Sequence, residues 1–397
     1  MPENFGHRDR CAISGIGSSA FSTNSGRSVL SLAAEAALEA IRDAGLEPDD
    51  IDGVVRCDHD AGSVSHSDMA HALGLSRLTY WGSTGIGGGA TCGMVAQAVG
   101  AVLSGQATNV LVFRSLNGSS GLRLGQRGGF SGSVGGDGTL DEFFVPHGLV
   151  APGQMWALIA QRHMHEYGTT SEQLGHIALA CRARANANPA AQMHSRPLGL
   201  DDYLAGPMIS RPLRLFDYCL QTDGACAVVV TSTERARDSA QSPVLIRAVA
   251  QASPRNDQGG RGLSALMRES LTTQPSADAA KVLYSRAGMG PADIDVAELY
   301  DCFSMTVLVQ LEDYGFCAKG EGGPFAASGA LELGGALPIN TAGGNLSEGY
   351  IQGMNHIVEG VRQVRGQSAS QVHGAQTCLV TGGLPIATSA LILRADA

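Results

Sequence analysis

The chain has 397 residues, 44% hydrophobic and 16% charged, enough for two domain-sized units or one duplicated unit around a well-buried core. Its net charge of −10, with no basic cluster, argues against nucleic acid as a partner, and no apolar run approaches the about twenty residues that a membrane span needs. Nine cysteines without a C-x-x-C pair exclude a zinc ribbon in this chain, an odd count argues against a disulfide framework, and the polar stretch MPENFGHRDR (1–10) is no secretory leader, so a reducing cytosol is expected.

Cys11–Ile16 reads as a first strand. Between Ser28 and Ala44, Leu30, Leu32, Ala33, Ala36, Ala37, Ala40 and Ile41 recur at helical spacing, and Gly45 follows as the C-cap. Ile51–Val55 reads as a buried strand, Ser65–Leu73 as a helix and Leu78–Trp81 as a short strand. A glycine-rich turn, STGIGGGATCG, leads into the apolar helix Met94–Leu103 and the strand Asn109–Phe113. Strands alternating with helices indicate an α/β fold. From Leu116 to Pro152 the chain is rich in Gly and Ser, which makes it either a linker or a functional insertion. Helices follow at Gln154–Tyr167 and Ser171–Ala185, with Thr170 or Ser171 as the N-cap of the second, then a short one at Asp201–Leu204. Asp223-Gly224 reads as a turn into the strand Ala225–Thr231.

A second half begins near Pro243, with a strand at Val244–Ala250 and a helix at Ala277–Ala287. In DIDVAELYDC (293–302) the apolar run Ile294–Leu299 ends in Tyr300-Asp301-Cys302-Phe303, the profile of a buried strand delivering side chains at its tip. A helix at Met305–Tyr314 and a loop at Cys317–Gly329 follow. GGNLSEGY then places a second tyrosine, Tyr350, where a helix read as Ile351–Val364 opens. Cys378–Val380 is a strand running into the turn Thr381-Gly382-Gly383, and Ser389–Leu393 is the last strand.

The two halves resemble each other. AALEAIRDAGLEPDDIDGVV (36–55) aligns with AAKVLYSRAGMGPADIDVAE (279–298) at an offset of 243. Further on, Gly87–Phe113 has a counterpart in Gly343–Thr381. Two copies of a βαβ-rich unit predict a pseudo-twofold molecule with halves at 1–242 and 243–397, the first carrying a loop excursion at about 115–222. Strand tips and helix N-termini of both halves then converge on a central site.

In the glycine turn, Gly85, Gly87 and Ala90 fit a relaxed G-x-G-x-x-A, but the turn follows the third strand, so a dinucleotide site is not expected. Free backbone N–H groups at that helix N-terminus suit a thioester oxyanion. Cys92 lies in the same turn, either as a nucleophile favoured by the helix dipole or as a small buried residue.

The repeat, YGTTSEQLGHIALACRARANANP, DYCLQTDGACAVVV, ELYDCFS and the closing TGG together resemble the thiolase superfamily over nearly the full length, in the branch similar to the thiolase part of sterol carrier protein X. The resemblance implies two pseudo-twofold-related halves packed as an α-β-α-β-α sandwich. It also implies a nucleophilic cysteine at Gly88 or Gly89, histidines at Tyr300 and Tyr350, and a second cysteine near Val380, two residues beyond Cys378. All four positions are changed, which removes the acyl-enzyme. Tyrosines in place of both histidines are similar to the lipid-transfer-protein-like aldolases of bacterial steroid side-chain degradation. That likeness implies retro-aldol cleavage of a steroid β-hydroxyacyl-CoA to a ketone and propionyl-CoA. It further implies a homodimer joined by a small zinc-ribbon and OB-fold partner in a heterotetramer, with no cofactor beyond the CoA of the substrate.

A retro-aldol step needs a base at the hydroxyl, an oxyanion site and an acid for the α-carbon. Tyr350, read as opening a helix whose dipole lowers its pKa, is the expected base, and Tyr300 the proton donor or orienting partner. Backbone N–H groups at Gly88 or Gly89 and at Gly382 or Gly383 are the expected oxyanion donors. Asp301 either caps a helix or orients Tyr300. His356 is expected to face a neighbouring helix, and His163 and His165, two apart on one helix, form no metal pair. Arg114, Arg123 and Arg127 are read as surface charge or as contacts to a CoA phosphate or another subunit. Two alternatives stay open: a thiolase-type acyltransferase using Cys92, and a non-catalytic acyl-CoA-binding subunit.

Overall fold

A computed structural model of the protein describes residues 7–58, 63–85, 87–121, 144–253, 266, 268–383, 385 and 387–396. The strands of its main sheet are β1 (Cys11–Ser18), β2 (Gly53–Cys57), β3 (Tyr80–Thr84), β4 (Val110–Asn117), β5 (Asp223–Ser232), β6 (Val244–Ala252), β7 (Val296–Glu298), β8 (Thr377–Gly383) and β9 (Thr388–Ala395). The helices of eight residues or more among the described residues are α1 (Val29–Asp43), α2 (His66–Leu73), α3 (Thr91–Leu103), α4 (Pro152–Tyr167), α5 (Ser171–Ala187), α6 (Ser276–Ala287), α7 (Ser304–Asp313) and α8 (Met354–Arg365).

The strands lie in the order β3-β2-β4-β5-β1-β6-β9-β8-β7. Read outward from the middle, the first half runs β1, β5, β4, β2, β3 and the second runs β6, β9, β8, β7. A single parallel bridge from Ala297 to Ile339 stands where the second half would repeat β3. The halves join through a short antiparallel pairing, Ala12 with Leu245 and Ile13 with Val244. α3 and α8 pack against strands of both halves, α1 covers the outer face of the first half, and α6 that of the second. This is the expected five-layered α-β-α-β-α arrangement.

The repeated sequence folds the same way twice. Gly45 and Gly288 end α1 and α6 in the left-handed region, at φ 73° and 65°, where glycine has no Cβ to clash. A 3₁₀ turn beginning with proline follows each, at Pro48–Asp50 and Pro291–Asp293, and then β2 or β7. Against the outer face, α1 buries Leu32, Ala33, Ala36, Ala37, Ala40 and Ile41. Burying a leucine such as Leu32 stabilises by about 1.5–3 kcal/mol. The approach is close: a Cβ on Gly15 would lie 2.1 Å from the Ala40 carbonyl, and one on Gly17 2.2 Å from that of Ala36.

Four readings need correction. Asp223 begins β5 and is no turn residue, because its carboxylate accepts hydrogen bonds from Ser25, Ser119 and Ser120 while its backbone pairs with Asn117. Thr381-Gly382-Gly383 continues β8, paired with Ala390, Ser389 and Thr388. The helix after Tyr350 begins only at Met354. Arg114 is also no surface charge. It is buried on β4, with Nη1 donating to Ser63 Oγ at 3.1 Å. Arg123, Arg127 and most of the Gly/Ser-rich stretch lie outside the described residues. Among the described residues no helix is long and apolar enough to cross a membrane.

Candidate active site

β7 is only three residues long, and the chain beyond it is held by side chains instead of a ladder. The Leu299 N–H donates to Asn340 Oδ1 at 2.7 Å, and the Tyr300 N–H to Thr381 Oγ1 at 2.8 Å. The Tyr300 carbonyl accepts from Gln310 Nε2 at 2.7 Å and Thr306 Oγ1 at 2.9 Å. With both backbone groups fixed, the ring of Tyr300 enters the centre of the molecule, where it is fully buried.

Tyr350 arrives from the other side. Its N–H donates to Thr222 Oγ1 at 2.7 Å, and that hydroxyl donates to Gln192 Oε1 at 2.5 Å. Gln352 and Gly353 then take φ of 54° and 88°, two successive left-handed residues that no helix accommodates, so α8 waits until Met354. The expected helix dipole on Tyr350 is therefore missing. The two tyrosines do meet: their phenol oxygens are 3.1 Å apart.

Burial, the largest influence, pushes both phenols above the ordinary tyrosine range. The hydrogen bond splits the pair, since it favours the Tyr350 anion and disfavours that of Tyr300. Arg114 also favours the Tyr350 anion. Tyr350 is thus the easier of the two to deprotonate, for reasons other than a helix dipole.

The glycine segments meet at the same place. Gly88 and Gly89 lie in a 3₁₀ turn, Gly87–Ala90. A Cβ on Gly382 would lie 2.4 Å from the Gly88 carbonyl oxygen and 3.4 Å from that of Gly89. Both carbonyl oxygens thus approach β8 at Gly382. Gly383 is beside Gln310, where a Cβ would lie 3.4 Å from the amide. A Cβ on Gly88 would fall 2.0 Å from the Tyr300 phenol oxygen, so the ring occupies the volume of any side chain at 88.

Cys92 is in the first turn of α3 but is 1% exposed, and its thiol donates to the Val380 carbonyl at 3.5 Å. Burial pushes that thiol up to about 12, and pushes Cys378 well above its ordinary value too. Neither thiol is poised as a nucleophile.

Asp301 is a cap. Its Oδ1 accepts the Asn345 N–H at 2.8 Å and its Oδ2 the Leu346 N–H at 3.1 Å, in the short helix Gly344–Ser347 that leads to Tyr350. His356 does not face a neighbouring helix. Nε2 is 2.9 Å from Asp301 Oδ1 and Nδ1 3.2 Å from Glu298 Oε2, so the imidazole bridges two carboxylates that flank Tyr300 in sequence. Burial alone would lower its pKa, but Asp301 and then Glu298 raise it to about 10, which keeps it protonated at neutral pH. The sequence carried a signal for this placement in Gly353. Counted from a helix that starts at Met354, His356 is in the first turn, level with the strand tip.

The Thiolase C-terminal domain-like family matches residues 260–395. A steroid side-chain-cleaving aldolase from Thermomonospora curvata is 46% identical over 387 residues, 97% of this chain and 98% of that protein. A 17-hydroxy-3-oxo-4-pregnene-20-carboxyl-CoA lyase from Mycobacterium tuberculosis is 45% identical, over 97% of this chain and 99% of that one. Among solved structures, an Ltp2-ChsH2(DUF35) aldolase superposes with a TM-score of 0.91 at 44% identity, covering 98% of each chain. With sequence and fold in agreement over almost its whole length, the chain belongs to the thiolase superfamily, among the steroid side-chain-cleaving aldolases, which are carbon–carbon lyases.

Proposed function

We propose that the protein cleaves a steroid-type β-hydroxyacyl-CoA to a ketone and propionyl-CoA by a proton relay through Tyr350 and Tyr300, without a cysteine nucleophile. The observation that carries this reading is the pair of phenols 3.1 Å apart, one of them filling the space above Gly88. The names of the two relatives, an aldolase and a CoA lyase, support the substrate class.

Both phenols are neutral in the resting site, so the base is not a standing phenolate. The substrate hydroxyl gives its proton to the Tyr350 oxygen as Tyr350 passes its own to Tyr300, and Tyr300 protonates the α-carbon. The hydroxyl carbon becomes the ketone, and the electrons of the broken carbon–carbon bond pass through the thioester enolate into the new C–H bond. Each tyrosine ends with one proton, as it began. Backbone N–H groups of Gly88 or Gly89 and of Gly382 or Gly383 are the proposed donors to the enolate oxygen. Groups of this kind typically contribute about 10² to 10⁴ in rate. The chain works as a homodimer with a small zinc-ribbon and OB-fold subunit. The DUF35 partner in the name of the similar structure supports that assembly.

The test is product analysis with a steroid β-hydroxyacyl-CoA, on protein co-purified with a DUF35 partner. Tyr300→Phe and Tyr350→Phe should each lose cleavage by about 100-fold or more, while Cys92→Ala stays active. Both phenylalanine variants cleaving like the parent would end the tyrosine reading, and an acyl group trapped on Cys92 would replace it.

A further inference from the structure

A cluster of ionisable groups, all but one of them buried, lies behind the two tyrosines. It comprises Glu298 and Asp301 from the tip of β7, Glu348 just before Tyr350, and His356, Glu359 and Arg362 on α8. We propose that His356 is the positioning residue of the tyrosine pair, a cationic pin that locks the segment carrying Tyr300 to the segment carrying Tyr350.

The connections run both ways from the imidazole. Asp301, adjacent to Tyr300, accepts from His356 and from the N–H groups of Asn345 and Leu346, at the start of the segment that ends in Tyr350. Glu298, two residues before Tyr300, accepts from His356 through Oε2 and from the Thr341 N–H and hydroxyl through Oε1, at 2.9 and 2.8 Å. His356 itself is six residues past Tyr350, joined to it by the left-handed pair Gln352-Gly353. Its ring centroid is 6.5 Å from that of Tyr300, so it backs the phenol and does not reach the reacting atoms. One protonated ring thus closes two loops of hydrogen bonds, each containing one catalytic tyrosine.

The chemistry makes a cation the fitting group. Four carboxyl groups are buried here, and Arg362 is the other cation in the cluster, 3.8 Å from Glu359. Burial raises Glu348 to about 8 and Glu359 to about 7, so near neutrality Glu348 is held largely as the acid and Glu359 about half so, while Glu298 and Asp301 share the imidazole. A neutral side chain at 356 would leave two adjacent carboxylates repelling each other at the base of Tyr300. The strand tip and the loop would then part, and the 3.1 Å contact on which the relay depends would open.

This inference rests on the tyrosine reading, and the experiment separates the two. His356→Gln is compared with the parent, Tyr300→Phe and Tyr350→Phe in the full chain with its partner. The expected result is a folded His356→Gln with kcat lowered by about 100-fold and KM within about twofold, since a displacement near 1 Å is enough for such a loss. The solvent deuterium isotope effect on kcat should rise as well, because the relay becomes slower than product release. If His356→Gln fails to fold, Asp301→Asn decides, with the same split expected. Either variant folding with kcat within about twofold of the parent overturns the pin. Failure of both to fold also overturns it, and makes the cluster a purely structural one. Fully active Tyr→Phe variants would instead sink the relay beneath it.

Discussion

Gly88 and Tyr300 exclude each other's side chains: a Cβ at 88 would be 2.0 Å from the Tyr300 phenol oxygen and 2.2 Å from the carbon bearing it. Gly88→Ala should therefore destabilise by about 1–3 kcal/mol through overpacking and abolish cleavage by displacing the ring. Pairing it with Tyr300→Ala should recover the stability but not the activity. A double-mutant cycle by denaturant unfolding, alongside product assays, checks both parts.

Cys92 should behave as an inert core residue. Burial raises all three thiols to about 12, so access sets the order: under native conditions an alkylating reagent should label the partly buried Cys219 and Cys317 before the buried Cys92. Peptide mass spectrometry after a short pulse reads the order. Rapid labelling of Cys92 would mean that the first turn of α3 opens in solution.

Stability should fall as pH rises through neutrality. An unfolded histidine releases its proton near 6.5, whereas His356 in the folded protein holds it to about 10. Between those values the unfolded chain binds fewer protons, so each step up in pH disfavours folding. Glu348 acts in the same direction from about 4.5 to about 8, because its neutral form is the folded one. Tm measured from pH 6.5 to 9 should decline, and His356→Gln should flatten that slope. The raised thiols, whose unfolded value is 9.0, add to the decline in the upper part of this window, so the His356→Gln comparison is read from pH 6.5 to about 8.

Asp223 should be costly to neutralise. Its carboxylate accepts from the Ser25 N–H at 3.0 Å, the Ser119 N–H at 3.0 Å and the Ser120 N–H at 2.9 Å. Burial alone would raise its pKa, but these donors and the Ser120 hydroxyl bring it below the usual range. Asp223→Asn turns an acceptor into a donor among donors, and should cost about 1.5–3 kcal/mol. A lower denaturant midpoint with unchanged m-value is the expected signature. Activity should drop too, since the neighbouring Thr222 holds the Tyr350 N–H.

Much of the architecture was legible because local signals and the global repeat agreed. The N-cap at Thr170 and the C-terminal glycine Gly45 act as their residue types predict. The tyrosine pair was legible because the repeat and the ELYDC and SEGY segments put strand and loop tips at one centre. What escaped was set by tertiary contacts. Thr381-Gly382-Gly383 looks like a turn by composition, yet β9 supplies a full set of partners. Tyr350 looks like a helix opener until Gln352 and Gly353 reverse the chain. His356 was misplaced by the same three residues, because its face was counted from the wrong helix start.

The volume shared by residues 88 and 300 also constrains the order of substitutions at this centre. A chain with any side chain at 88 has no room for the phenol at 300 in this position, and one with the phenol has no room for a side chain at 88. The two states are separated by a glycine that must come first, and once the larger ring has moved in, that glycine can no longer be reversed alone. Residues 88 and 300 are thus one volume with two owners, and a substitution at either is a substitution at both.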